Sequence, residues 1–118
     1  RTCVIGVEFS MKLTFIETPV FTGIITDLLG DEDYRQMQEH LLICPTAGDV
    51  MAGTAGCRKL RWRTSERKGG KRGGIRVIYY FRRSTHQVIF LLAYDHRLVD
   101  DLSLAQKRQL ANIVRKLK

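Results

Sequence analysis

An α+β domain, a small antiparallel sheet with two N-terminal helices and a C-terminal helix packed on it, is the fold class this sequence predicts. Three observations predict it. One short alternating stretch near the start is followed by two stretches with helical periodicity. Three strand-like stretches then follow one another with short connections, the pattern of an antiparallel meander. The last stretch opens with a capping box and carries apolar residues at i, i+3, i+4 and i+7. The expected order is strand, helix, helix, three strands, helix, with the helices against one face of the sheet. The chain has 118 residues, 44% of them hydrophobic, which suits one domain with a core of its own.

The elements follow in order. Residues 1–10, "RTCVIGVEFS", precede Met11 and lack the basic start, long apolar centre and cleavage site of a secretion signal. They read as an upstream extension or an expression remnant, although "VIGVEF" could add a strand to a sheet edge. Residues 11–118 read as the domain. "KLTFIE" (Lys12–Glu17) alternates like a strand. Thr18 can cap the first helix, Pro19 suits its first turn and Gly30 can end it, with Phe21, Ile24, Ile25 and Leu28 on one face. Asp31, Glu32 and Asp33 open the second helix, where its dipole favours negative charge. Tyr34, Met37, Leu41 and Leu42 are its expected buried stripe, and Pro45 stops it.

"PTAGDVMAGTAG" (Pro45–Gly56) is small and glycine-rich, and reads as a loop. "RKLRWR" sends Lys59, Arg61 and Arg63 to one side and Leu60 and Trp62 to the other, a half-buried strand with a basic face. "TSERKGGKRGG" is a charged connection, "IRVIYYF" the next strand and "RRSTHQ" a turn. "VIFLLAY" is apolar enough to be central. Ser103 and Gln106 form the capping box of the last helix, whose apolar face is Leu110, Ile113, Val114 and Leu117.

Charge is concentrated in one place. Arg58 to Arg83 holds eleven basic residues against a single acid, Glu66, and carries +10; the whole chain is +8, so the rest nets −2. A cluster of this kind implies an anionic partner, nucleic acid first and an acidic protein second. The alternation is that of a sheet, not of an amphipathic membrane helix, and no apolar run approaches a membrane span. Three cysteines, an odd number without a CxxC pair, point to reduced thiols in a cytoplasmic protein. There is no metal-ligand spacing, and "GGKRGG" lacks the strand and helix of a phosphate loop, so neither metal nor cofactor is expected.

Laid side by side, the last three strands offer Lys59, Arg61 and Arg63 on the first, Arg76, Ile78 and Tyr80 on the second, and Tyr94 at the end of the third, with His96 two residues on. If register places these on one face, the result is a cleft of cations with an aromatic ring and one imidazole. Leu60, Trp62, Ile75, Val77 and Tyr79 would then face the helices. Such a cleft suits an RNA strand, because cations neutralise phosphates and rings stack on bases. It also suits cleavage by the ribose 2′-OH, since guanidinium groups stabilise charge building on the phosphate oxygens. A solvated phosphate-binding face without catalysis fits the same pattern.

Several segments together resemble the RelE/HigB family of bacterial toxins, the HigB-type branch most closely. These are "DEDYRQMQEHLLICPTAGDVMAGTAGCRKLRW", "GGKRGGIRVIYYF" and "FLLAYDHRLVDDLSLAQKRQL", which carry P-x-x-G-D-V, G-x-x-G-x-R-K-x-R, K-R-G-G-x-R-x-I-Y-Y and D-L-[ST]-x-x-Q. The resemblance spans nearly all of 11–118. It implies a RelE-like fold and the toxin of a type II toxin–antitoxin module. The activity implied is that of a metal-independent, ribosome-dependent endoribonuclease, an mRNA interferase that inhibits translation and arrests growth. The implied partners are a cognate antitoxin, the ribosome and messenger RNA, with no membrane and no small-molecule cofactor.

By position, Lys59 and Arg61 would orient and help deprotonate the 2′-OH, and Arg76 would hold the scissile phosphate. Tyr94 matches the aromatic that begins the family's Y-x-K-x-E stretch. This chain reads "YDHRL" there: His96 stands at the lysine position and takes its place as proton donor, or Arg97 supplies the charge from next door, and Leu98 replaces the glutamate. Arg58, Arg63, Lys68, Lys71, Arg72, Tyr94 and Arg97 are the expected RNA contacts. The superfamily's ParE-like members, which block DNA gyrase without catalysis, supply the alternative reading, as does a degenerate module that only docks an antitoxin or RNA.

Overall fold

The structure is a computed structural model that describes residues 12–63 and 74–117. Its elements are β1 (Thr14–Glu17), α1 (Pro19–Leu28), α2 (Asp31–Ile43), β2 (Asp49–Val50), β3 (Arg58–Arg63), β4 (Gly74–Arg82), β5 (Gln87–Asp95) and α3 (Leu104–Leu117), with a 3-10 turn at Arg83–Thr85. The order of elements matches the sequence expectation, with one addition. The glycine-rich loop contains the two-residue β2, which pairs Asp49 with Lys59 and Val50 with Arg58.

Helix ends form where the residues demand. The Thr18 hydroxyl accepts from the Phe21 N–H and also donates to the Phe90 carbonyl at 3.0 Å, so one side chain caps α1 and ties it to β5. Gly30 serves as the N-cap of α2 and makes no side-chain cap; the three acids that follow face the positive helix end instead. At α3 the capping box is complete: the Gln106 N–H donates to Ser103 Oγ at 3.1 Å, and the Ser103 N–H donates to Gln106 Oε1 at 2.9 Å.

The strands lie in the order β1–β5–β4–β3–β2. β2 to β5 are mutually antiparallel, but β1 runs parallel to β5, so the sheet is mixed and not antiparallel throughout. The reason is the route of the chain, for the β1 edge position is reached from β5 only after the whole meander has formed. β5 therefore lies inside the sheet, as its apolar character demands.

The expectation that all helices share one face is corrected. On one face Phe21, Ile25 and Leu29 from the α1 region and Met37 and Leu41 from α2 pack on Leu60, Ile75, Val77, Tyr79, Val88 and Phe90. On the other, Leu110 and Val114 of α3 pack on Ile78, Ile89, Leu91 and Tyr94. β5 is apolar on both faces and needs cover on both. Leu42 and Ile113, expected in helix cores, are exposed. On α2, Asp33 joins Met37 and Leu41 in the buried stripe.

A β-bulge between β4 and β5 decides which face carries what. Tyr79 opposes Phe90 and Ile78 opposes Leu92, so Leu91 is an extra residue on β5. Val88 and Phe90 face α1 and α2. Uninterrupted alternation would send Tyr94 the same way. The inserted residue reverses the parity, and Tyr94 emerges on the face of Ile78 and Arg76.

Cys57 is free and buried, and burial pushes its thiol up to about 11. Cys44 is disulfide-bonded, which corrects the expectation of three reduced thiols. No described helix is long and apolar enough to cross a membrane.

Candidate active site

The basic face is built in cross-strand rows. Arg61 of β3 lies directly opposite Arg76 of β4, and Arg76 directly opposite Tyr94 of β5. One row away is Lys59, opposite Ile78 on one side and Asp49 on the other. In the other direction Arg63 opposes Gly74. Rows two residues apart on a strand are about 7 Å apart, and neighbouring strands about 5 Å apart, so these side chains share a surface the size of one nucleotide step.

Two guanidinium groups directly across from one another repel, at a cost of about 0.2–1 kcal/mol. Among the described residues neither Arg61 nor Arg76 has a carboxylate within salt-bridge distance. Arg61 is exposed and Arg76 half-buried, so both are open to an anion from outside.

Arg76 leans over a residue that has no side chain. A Cβ on Gly74 would come within 2.7 Å of the Arg76 Nη1. Glycine at 74 therefore leaves the room in which the guanidinium lies. Gly74 also anchors the far end of the site: its carbonyl accepts from the His96 N–H at 2.9 Å. His96 thus continues the ladder one row beyond Arg76 and Tyr94, just after β5 ends, and is exposed. The other two histidines are elsewhere. His40 packs at a tilt against Trp62, ring centroids 5.8 Å apart, and His86 lies at the β4–β5 turn.

Tyr94 is not the open stacking platform the sequence suggested. Only 8% of it is exposed, its ring belongs to the core beneath α3, and its hydroxyl is sealed from solvent with no hydrogen-bond partner among the described residues. A buried hydroxyl left without a partner costs about 1–3 kcal/mol. Burial and the Asp101 carboxylate push this phenol above its ordinary value, while Arg76 acts in the opposite sense. The hydroxyl is therefore a neutral donor set among the charges of the cleft.

Two of the predicted RNA contacts do other work. Arg58 belongs to the opposite side of β3, and its Nη1 donates to the carbonyls of Gly48 at 2.8 Å and Thr46 at 3.3 Å. Tyr79 holds the same loop, donating to the Pro45 carbonyl at 2.7 Å and accepting from the Gly48 N–H at 2.9 Å. Gly48 has no room for a side chain, since a Cβ would meet the Tyr79 ring at 2.9 Å. Arg97 turns back onto the buried Asp95, with Nη2 at 2.8 Å and Nε at 3.2–3.3 Å from its carboxylate oxygens, and its own N–H donates to Asp95 Oδ1 at 2.9 Å. The paired Arg97 holds the Asp95 carboxyl below the usual carboxylate range. Lys68, Lys71 and Arg72 lie outside the described residues.

The sequence reading missed three participants. Gly74 was seen only as part of a glycine-rich connection. Asp101 and Lys107, from the segment that opens α3, stand at the Lys59 end of the cleft. Asp101 opens the D-L-[ST]-x-x-Q pattern and Lys107 follows it, but the pattern signalled a cap and gave no sign of which strand face that cap would meet. Among the described residues no group of His, Cys, Asp and Glu is arranged to hold a metal ion.

No protein-family profile matches the chain. Among solved structures it is similar to the free state of an E. coli RelE toxin variant, with a TM-score of 0.57 and 14% sequence identity, covering 84% of this chain and 96% of that one. The chain has a RelE-like fold.

Proposed function

We propose that this chain is the toxin of a type II toxin–antitoxin module, of the HigB-type branch, and a ribosome-dependent endoribonuclease that cuts messenger RNA and halts translation. The observation that carries the reading is the Arg61–Arg76–Tyr94 row. It sets two guanidiniums that have no carboxylate partner among the described residues directly across from one another, beside the buried Tyr94, a costly arrangement in the free protein that a phosphodiester would relieve. The RelE-like fold, found with a neighbour described as a toxin, supports it.

In this reading Lys59 and Arg61 orient the ribose and favour loss of the 2′-OH proton. The 2′-oxygen attacks the adjacent phosphorus, the bond to O5′ breaks, and a proton passes to the leaving oxygen. His96 is the proton donor, since it stands at the same end of the sheet as the Arg76 head group. Arg76 and Arg61 hold the charge that develops on the phosphate oxygens. Arg63 extends the basic face along the strand, and the cations of 67–72 seat the protein on ribosomal RNA. The cognate antitoxin is an acidic partner for this surface.

The test is Arg76→Ala in a reconstituted translation reaction with 5′-end mapping of the message. We expect cleavage to fall by about 10²–10³-fold with the circular-dichroism spectrum unchanged. Full activity in the variant overturns the assignment. A DNA-damage response on induction, in place of message fragmentation, moves it to a gyrase-blocking toxin.

A further inference from the structure

The cleft has a second wall that the strand residues do not account for. After β5 the chain turns through 96–100 and comes back to the basic face. Leu102 sinks into the core beneath α3, and Asp101 just before it faces β3. The Asp101 carboxylate has three neighbours. Oδ1 accepts from the Leu102 N–H at 2.8 Å and lies 3.9 Å from Lys59 Nζ; Oδ2 lies 3.4 Å from Lys107 Nζ. The two lysine side chains are only 27% and 25% exposed, whereas Asp101 is 50% exposed. Two ammonium groups from different elements thus converge on one carboxylate that faces water. Tyr94 is close enough for that carboxylate to act on its phenol, and its hydroxyl is the unpartnered one.

Pairs of this length with a half-exposed acid are weak. They are strong enough to gather the lysines and weak enough to yield to a better anion. A phosphodiester presents two unesterified oxygens, as a carboxylate does, and belongs to a chain whose next phosphate is one nucleotide away.

We propose that Lys107 is a further phosphate-binding residue of this cleft. With Lys59 it takes the RNA phosphate next to the scissile one, and Asp101 is the displaceable carboxylate that fills that anion position in the free protein. This rests on the RNA-cleft reading above. It assigns a path to the strand, from the Arg61–Arg76 row past Lys59 to the first turns of α3.

The experiment measures binding of an RNA oligonucleotide with a 2′-deoxy residue at the cleavage position, over a range of salt. Lys107→Gln should bind several-fold more weakly, with the salt slope smaller in magnitude by about 0.7, one phosphate contact on a single strand. Asp101→Asn keeps an oxygen for the Leu102 N–H, so the turn is preserved, and it should bind more tightly than the parent. An unchanged slope in Lys107→Gln removes that residue from the interface. Lost cleavage at unchanged binding in Asp101→Asn makes the carboxylate catalytic, and weaker binding makes it a scaffold; either overturns the proposal. A parallel titration with inorganic phosphate, followed by the NMR signals of the Lys59 and Lys107 side chains, separates this failure from that of the nuclease reading. If no RNA is bound or cut but phosphate perturbs both lysines, and does so at lower concentration in Asp101→Asn, the anion position stands without the nuclease. If phosphate perturbs neither, it does not stand.

Discussion

Tyr94 contributes to the protein through its ring and not through its hydroxyl. Its ring is core and its hydroxyl has no partner, so removing the oxygen costs the free protein nothing. We expect Tyr94→Phe to leave the urea midpoint unchanged or to raise stability by about 1 kcal/mol. The same variant should cut RNA at close to the parent rate, since the hydroxyl is sealed from the surface where Arg61 and Arg76 meet the phosphate. Reduced stability would mean that the hydroxyl has a partner in the folded protein. Asp95 behaves in the opposite way, because its charge is used internally. Arg97 holds the buried carboxyl below its ordinary value. A depressed folded-state value contributes stability that is present above the unfolded value, about 3.9, and is lost as pH falls through the folded one. The stability gap between the parent and Asp95→Asn should therefore be full at pH 7 and close in acid below about pH 4. Urea midpoints across that range check it, and a gap that stays constant contradicts it.

Among the elements, the loop before β3 shows how a short pattern can be structural. Pro45 and Gly48 of P-x-x-G-D-V are spent on Tyr79 and Arg58, which clamp the loop against the far side of the sheet. The clamp fixes the edge of β3 from which Lys59 and Arg61 project. We expect Tyr79→Phe to cost about 1–3 kcal/mol, because it removes one donor and one acceptor from buried backbone groups. Guanidinium denaturation measures this, and a neutral result would show that the loop is held some other way. The bulge at Leu91 is the other element-level device. One extra residue on β5 moves Tyr94 from the α1–α2 face to the basic face, so the site exists only because the strand breaks its own alternation.

Taken whole, the molecule concentrates its positive charge in one stretch of the chain, and β3 and β4 set Lys59, Arg61, Arg63 and Arg76 of that stretch on one face. The net charge is +8, yet the strand 58–83 region alone carries +10, so the remaining surface is slightly acidic. A long-range field of this shape draws a polyanion to one side of the sheet. Binding of single-stranded RNA should weaken as salt rises. Three contacts from Lys59, Arg61 and Arg76 at about 0.7 each give a log–log slope of about −2, and the cations of 67–72 would add to it. A slope near zero in a filter-binding titration rules out phosphate recognition by this face.

The helices and strands were legible from local chemistry: Thr18 and the Ser103–Gln106 pair mark helix starts, and the alternation of Lys59, Arg61 and Arg63 fixes a basic strand face whatever its neighbours. That Arg76 shares that face also followed from alternation, once Leu60 and Ile75 were both assigned to the core. Tertiary structure decided what depends on partners distant in the chain. It set β1 parallel to β5, put α3 on the opposite side from α1 and α2, turned Arg58 and Arg97 to internal contacts, and brought Asp101 and Lys107 to Lys59. Side-chain period follows from the geometry of one strand and is local. Register, bulges and the closing of ion pairs across some forty residues of chain depend on which surfaces meet, and no window of sequence contains both surfaces.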